Sequence, residues 1–374
     1  MYFITLHISR FVPSYIPAFF AFPRGGIVDK FKVKGDIMNR IHTLLFLVVL
    51  GLSLVSCGRK SSQKEVVVYT AHDQVYSEPI FTHFQEKTGI VVKPVYDTEA
   101  VKSVGLVRRI VAERNSPRCD VFWNNEIART MVLKKEGLLQ PFLTTKPAEP
   151  ASIFIDDEGY WRGFAARLRV IVYNTSMLNA DTVPKSVMDF AKPEWKGKLT
   201  MAYPLFGTTE IHCAALRVAM GEAALDLFKG IIGNEVAILD GNAQVVNMVA
   251  RGEYAAGLTD TDDAWSAKNE GKSVDFIFPD ADGIGALLIP NTVAMIKDCP
   301  HPEEARVLID YLVSDEAQTL LAQSPAAQVP IDSEVRFDKS AFKDAAIKVM
   351  TIDYEKVADE LEGLRPILKD IFSR

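Results

Sequence analysis

The chemistry in this chain is carried by short polar runs that follow apolar ones. Asp260-Thr261-Asp262-Asp263 comes directly after the apolar stretch 255–259. Its carboxylates are hard oxygen donors for Fe³⁺, Ca²⁺ or Mg²⁺, or for an ammonium group, with Asp262 and Asp263 the candidate metal ligands. They could equally cap the helix that follows. Phe206-Gly207-Thr208-Thr209-Glu210 places a glycine and two hydroxyls at a helix start, where exposed backbone N–H groups can cradle an anion. Gly207, Thr208 and Thr209 are the candidates there, with a simple cap as the other reading. Asn242, at the next helix start, adds a donor. Arg167 and Arg169 could supply an anion's positive partner or form a structural ion pair. Two further polar turns follow buried strands, Ala71-His72-Asp73-Gln74 and Trp123-Asn124-Asn125-Glu126. They contribute His72, Asp73, Asn125 and Glu126, although Asp73 suits a helix cap and Glu126 suits a helix N-terminus electrostatically.

Such turns need strands and helices to hold them. Val66–Tyr69 reads as a buried strand, 79–87 as a helix closed by Gly89, 90–96 as a strand, 100–114 as a helix and 120–123 as a strand leading into a helix near Glu126. The alternation recurs: strands at 168–173, 199–203, 236–239 and 255–259, with helices at 208–220, 243–251 and 262–269. An apolar stretch at 286–296 precedes helices at 302–312 and 315–322, and the tail over 339–371 reads as helical. This is the signature of an α/β protein with a mainly parallel sheet and helices on both faces. About 300 residues are too many for one doubly wound sheet, so two α/β domains are expected.

The chain has 374 residues, 48% hydrophobic and 24% charged, which excludes collagenous and disordered classes. A net charge of −6 with no basic stripe argues against nucleic acid as a partner. Cys57, Cys119, Cys213 and Cys299 have no metal-type spacing, and Cys119 and Cys213 read as core residues. From Met38 a short basic region leads into an apolar run over 44–55, the build of a secretory signal and too short for a comfortable membrane span. Residues 1–56 are therefore read as a leader with an over-extended start, Met38 being the expected initiator. The ending Leu54-Val55-Ser56-Cys57 resembles a bacterial lipobox, which implies a lipid on Cys57 and a polar linker over 57–64. Without 1–56 the chain keeps 42 − 6 = 36 basic and 48 − 2 = 46 acidic residues, a net charge of −10.

Taken in order, Val66-Val67-Val68-Tyr69-Thr70-Ala71-His72-Asp73, Lys87-Thr88-Gly89-Ile90, Asp120-Val121-Phe122-Trp123-Asn124, the run from Arg167 to Thr175 and Pro193-Glu194-Trp195-Lys196-Gly197 resemble the solute-binding component of an ABC importer. The similarity covers roughly residues 65 to 330 and is strongest to the branch of periplasmic ferric-ion-binding proteins. It implies a type 2 periplasmic-binding fold: two Rossmann-like α/β lobes joined by hinge strands, with ligand captured between them. The expected lobes are 65–172 plus 275–330, and 173–274 plus 331–374. By the same resemblance Asp73, with His72 beside it, stands where the iron binders place a histidine, and Asn125, with Glu126 beside it, where they place a glutamate. Arg169 and the Gly207–Thr209 turn match the synergistic-anion grip, and Asp262 and Asp263 stand where two tyrosines hold iron.

Those departures leave three cargoes in view: iron(III) or its chelate, a phosphorylated or other small organic ligand, and a polyamine. Asp260-x-Asp262 also resembles the nucleophile motif of haloacid-dehalogenase-type phosphohydrolases, but it lies late in the chain and Ala264 replaces the usual Thr or Val. No serine-hydrolase elbow, metalloprotease histidine pair or phosphate-binding P-loop is found. The expectation is a non-enzymatic, exported, lipid-anchored monomer. It has no resident cofactor, carries Fe³⁺ with an anion as cargo if the resemblance holds, and is partnered by an ABC permease and ATPase.

Overall fold

The computed structural model describes residues 63–97, 104–146, 154–325, 328–331 and 347–373. The leader, Cys57 and the tail over 339–346 lie outside the described residues.

The first part of the chain alternates as its sequence predicts. Strand β1 (Glu65–Thr70), helix α1 (Gln74–Thr88), β2 (Val91–Tyr96), α2 (Val104–Ala112), β3 (Val121–Asn124) and α3 (Ile127–Lys135) lead to the short β4 (Leu139–Gln140). Helix α1 starts five residues before the expected 79 and contains Pro79 in its second turn, where the ring forgoes one hydrogen bond to the Val75 carbonyl. Gly89 then closes it in the left-handed conformation. Strand β1 pairs in parallel with β2 on one side and β3 on the other.

The long strand β5 (Trp161–Asn174) follows, and all of its residues are buried. Beyond it come β6 (Leu199–Ala202), α4 (Gly207–Met220), α5 (Ala223–Gly233), β7 (Ala237–Leu239), α6 (Asn242–Ala250), β8 (Ala256–Asp260), α7 (Thr261–Asn269) and β9 (Val274–Ile277). The chain returns through β10 (Leu288–Ile296), α8 (Pro302–Leu312), α9 (Asp315–Gln323) and β11 (Val329–Pro330), and ends in α10 (Tyr354–Ile371).

Strand order runs β2-β1-β3-β10-β5-β8-β6-β7. Strand β5 joins the two halves of this order. From Trp161 to Leu168 it pairs antiparallel with β10, and from Arg169 to Tyr173 antiparallel with β8. Strands β6, β7 and β8 form a second parallel group. The sheet is therefore parallel among β2, β1 and β3 and among β8, β6 and β7, and antiparallel wherever β5 and β10 pair, a correction to the mainly parallel sheet expected from alternation. The fold class is the expected one: two α/β lobes joined by a strand common to both.

Packing explains the local sequence. In β8, Gly257 lets α6 approach closely, since a Cβ there would fall 2.5 Å from Val245 Cγ1 and 2.9 Å from Thr200 Cγ2. Helix α10 buries Val357, Leu361, Leu364 and Leu368, the spacing of one helical face, and rests on α3, α4 and α5. Its start is capped by Asp353, which accepts from the N–H groups of Glu355 and Lys356 at 3.0 and 3.3 Å. Among the described residues no helix is long and apolar enough to cross a membrane.

Candidate functional site

The turns singled out from sequence converge where β5 passes from one half of the sheet to the other. A cavity of about 280 Å³ opens there. Asp73 and Asn125 reach it from the ends of β1 and β3, and Gly207, Thr208, Thr209 and Asn242 from the starts of α4 and α6. Asp260, Asp262 and Asp263 come from the junction of β8 and α7, and Arg167 comes from β5 itself. Gly207 holds φ at +55°, which turns the chain from β6 into α4 and suits a residue without a side chain.

Three expected residues lie off the wall. His72 is buried and stacks on Trp123, ring centroids 5.2 Å apart. Glu126 is buried as the N-cap of α3, where it accepts from the Arg129 N–H at 3.1 Å and from the Asn124 amide at the same distance. Arg169 lies beneath the cavity, fully buried. By contrast, Asp73 occupies the N-cap position of α1 but makes no capping hydrogen bond.

Arg169 organises the cavity floor. Its Nη1 donates to Asp260 Oδ1 at 2.6 Å and to Thr208 Oγ1 and Asn242 Oδ1 at 3.2 Å, and its Nη2 to Thr209 Oγ1 at 3.4 Å. Asp260 also accepts from the Thr208 hydroxyl at 2.7 Å and the Asn242 amide at 2.9 Å, and pairs with Arg167 Nε at 3.3 Å. Burial pushes the Asp260 carboxyl up, but the two guanidiniums and the Thr208 bond outweigh it and hold it below the usual range. Asp260 is thus an ionised strut, and the side chains of Thr208 and Asn242 are engaged with it.

Arg167 bridges the lobes. Its Nη1 donates to Asp262 Oδ2 at 3.0 Å and its Nη2 to the carbonyl of Asn125 at 3.1 Å. Gln328 adds a bond to Asp262 at 3.3 Å and accepts one from Asn291 at 2.7 Å. Asp262 behaves opposite to Asp260. Burial raises its carboxyl, the negative charges of Asp260 and Asp73 add to this, and Arg167 offsets only part. Tyr76 feels the same field: burial, with Asp262, Asp263 and Asp73 nearby, pushes its phenol to about 12 against a hydrogen bond with Ser266.

Carboxylate oxygens of Asp260, Asp262 and Asp263 lie within 4.8 Å of one another, close enough to share one cation. Among the described residues the cavity is lined by five carboxylates, those three with Asp73 and Asp240, and by the Arg167 guanidinium. The buried Oδ1 of Asn125 has no hydrogen-bond partner among the described residues. Sequence reading passed over Tyr76, Tyr203, Asp240 and Gln328. Tyr203 stands at the end of β6, the position that drew attention to the other strand ends, and Tyr76 lies one turn beyond Asp73 on α1.

Two α/β lobes that share a crossing strand, with a polar cavity at the crossing fed by both, define a binding protein that takes a small solute between lobes. Residues 80–349 match the family described as bacterial extracellular solute-binding protein, and the chain belongs to that family. Its members bind solutes outside the cytoplasm rather than transform them. The chain is 27% identical over 350 residues to iron uptake protein A1 of Synechocystis sp., covering 87% of this chain and 94% of that one. It is 26% identical over 281 residues to the major ferric iron-binding protein of Neisseria meningitidis serogroup A, covering 72% and 82%. In structure it is similar to apo ferric ion-binding protein A of Pasteurella haemolytica, with a TM-score of 0.74 at 23% identity over 83% of this chain and all of that one.

Proposed function

We propose that this protein is the substrate-binding component of an ABC importer and that its cargo is ferric iron, taken as the ion or as a small chelate. The observation that carries this reading is the gathering of the Asp260, Asp262 and Asp263 carboxylate oxygens within 4.8 Å of one another in the cavity. A hard trivalent cation suits such a set of oxygen donors, whereas a phosphorylated ligand would bring anionic oxygens against it. Asp262 and Asp263, with Asp73 and the Tyr76 phenol, are the donors assigned to the cargo, and Asp260 holds their scaffold. Arg167 touches Asn125 of one lobe and Asp262 of the other, so cargo on Asp262 acts on both lobes at once. The liganded form then presents a fixed arrangement of lobes to the permease and ATPase.

The lobes are assigned to 65–172 plus 275–330 and to 173–274 plus 331–374. The mature monomer begins at Cys57, carries lipid there and is tethered to the membrane. A Cys57→Ala variant is expected to be exported but to leave the membrane fraction; retention there contradicts the anchor.

A thermal-shift panel tests the cargo. Ferric citrate and ferric phosphate are compared with citrate and phosphate alone, Ca²⁺, Mg²⁺, putrescine and a sugar phosphate. At about 100-fold its dissociation constant a ligand adds about 2.7 kcal/mol of stability. A shift with ferric salts alone is expected. A shift with the sugar phosphate, and none with iron, would refute the assignment, and one with putrescine alone would keep the cationic site but change its cargo.

A further inference from the structure

A second and larger cavity, about 580 Å³, lies among α2, α3 and α10 and takes Leu205 from the turn before α4. Its walls are apolar, formed by Val107, Val111, Val132, Leu205 and Leu361. Its polar groups are mainly cationic. Arg108, Arg129 and Arg365 enter it from three different helices, with Lys369 at the rim.

The guanidiniums are short of negative partners. Arg129 Nη2 donates to Glu210 Oε2 at 2.6 Å, and Arg365 Nη1 donates to Glu210 Oε1 at 2.9 Å, so one buried carboxylate serves both. Arg108 is close enough to act electrostatically on Glu210 and on Arg365. Arg129 is only 7% exposed, and its buried Nε has no hydrogen-bond partner among the described residues. Burial lowers the affinity of Arg365 for its proton, and the like charges of Arg129 and Arg108 add to this against the pull of Glu210 and Glu362. Of the two carboxylates on the cavity wall, Glu136 is paired with Arg114 at 2.9 Å and Glu362 is exposed. Among the described residues four cations thus meet three carboxylates, Glu210 included, in a chain whose overall charge is −6.

We propose that this groove is a second binding site and that it takes a small amphipathic carboxylate. The head is held by Arg108, Arg129 and Arg365, whose planar forks match a carboxylate, and the apolar body lies on the valine and leucine wall. A bare inorganic anion would leave the walls unused, and a neutral apolar molecule would leave the guanidiniums unpaired. The groove is distinct from the polar cavity and adjoins it through one turn. Leu205 lines the groove and Phe206 lines the cavity, with the Arg365 guanidinium 5.3 Å over the Phe206 ring.

Calorimetric titration of the purified protein with sodium decanoate tests this, with decanol and sodium sulfate as controls. Saturable decanoate binding is expected, with no binding of either control. Arg108→Ala, at an exposed position that the fold does not need, is expected to weaken it about ten-fold, the loss of one charge-assisted contact. Val111→Glu, which puts a charge on the apolar wall, is expected to abolish it. The Asp262→Ala/Asp263→Ala variant is expected to bind decanoate as the parent does. Absence of saturable decanoate binding, equal binding of decanol or sulfate, or full affinity in Arg108→Ala would overturn the proposal. So would loss in the double aspartate variant, which would move the site to the polar cavity.

Discussion

Replacing Arg169 by Met isolates the scaffold beneath the polar cavity. Arg169 is fully buried and makes the 2.6 Å bond to Asp260. Met fills similar volume without charge, so the main effect is on the carboxylate left behind. Breaking a buried pair by removing one partner costs about 3–5 kcal/mol. The lower end is expected here, because Asp260 keeps the Thr208 hydroxyl, the Asn242 amide and Arg167 Nε at 3.3 Å. For a body of this size each kcal/mol lowers the melting temperature by about 2 °C, so the variant should melt about 6 °C lower at pH 7, followed by circular dichroism. Acid sharpens the test. Asp260 is held below its ordinary range, so its contribution is complete above the unfolded pKa of about 3.9 and is lost as pH falls through the folded value. Without Arg169 that contribution is already missing, so the two melting curves should converge on acidification. Arg169→Met with Asp260→Asn removes the stranded charge and should recover more than half of the loss. A loss below about 1 kcal/mol, or a double variant no better than the single one, would refute the strut role.

Asp262→Asn should behave oppositely. Burial and neighbouring charge raise the Asp262 carboxyl, so its ionised form weakens the native state, and stability falls as pH rises through the folded pKa. The variant should melt at or above the parent temperature at pH 7 while losing ferric binding. In the parent, iron affinity should fade on acidification at a pH above that of an ordinary carboxylate, measured by competition titration. Glu126→Ala removes a helix cap at a cost of about 1 kcal/mol, and cargo affinity should stay within about two-fold of the parent; a large loss would return Glu126 to the site. Gly257→Ala overpacks β8 against Val245 and Thr200 and should cost about 1–3 kcal/mol in denaturant unfolding.

The alternation of strands and helices is legible where turn residues or a proline separate apolar runs. Pro302 sets the beginning of α8, and the sequence predicts 302–312, the bounds the helix has in the fold. The apolar run predicts a strand over 168–173, whereas β5 runs from Trp161 to Asn174, because Arg162, Arg167 and Arg169 interrupt the apolar pattern. Those charges are buried, which depends on carboxylates and backbone acceptors far away in the chain. Helix α5 and strand β9 escaped notice for a simpler reason: α5 follows α4 after only two residues, and β9 is short with a charged Asp275 inside.

The site divides in the same way. Strand-end turns mark nine of the cavity's residues, because ligand groups gather at those ends in α/β lobes, and Arg167 adds a tenth from within β5. Single turns do not tell a wall residue from a buried support. Sequence left Glu126 open between helix stabiliser and ligand, and the cap geometry of α3 makes it a cap. It also gave Arg169 and Arg167 equal standing, yet Arg169 lies beneath the floor while Arg167, two residues earlier on the same strand, lies on the wall. The Glu210 cluster with Arg129 and Arg365 joins residues up to 236 positions apart (365 − 129), beyond the reach of any local pattern.

The central claim is that a carboxylate-rich interlobe cavity captures ferric iron. The direct measurement is a titration of the purified protein with ferric citrate, alongside the Asp262→Ala/Asp263→Ala variant. One saturable equivalent of iron in the parent is expected, with at least about 100-fold weaker binding in a variant that melts cooperatively. No saturable iron in the parent, or equal affinity in the two proteins, would contradict the account.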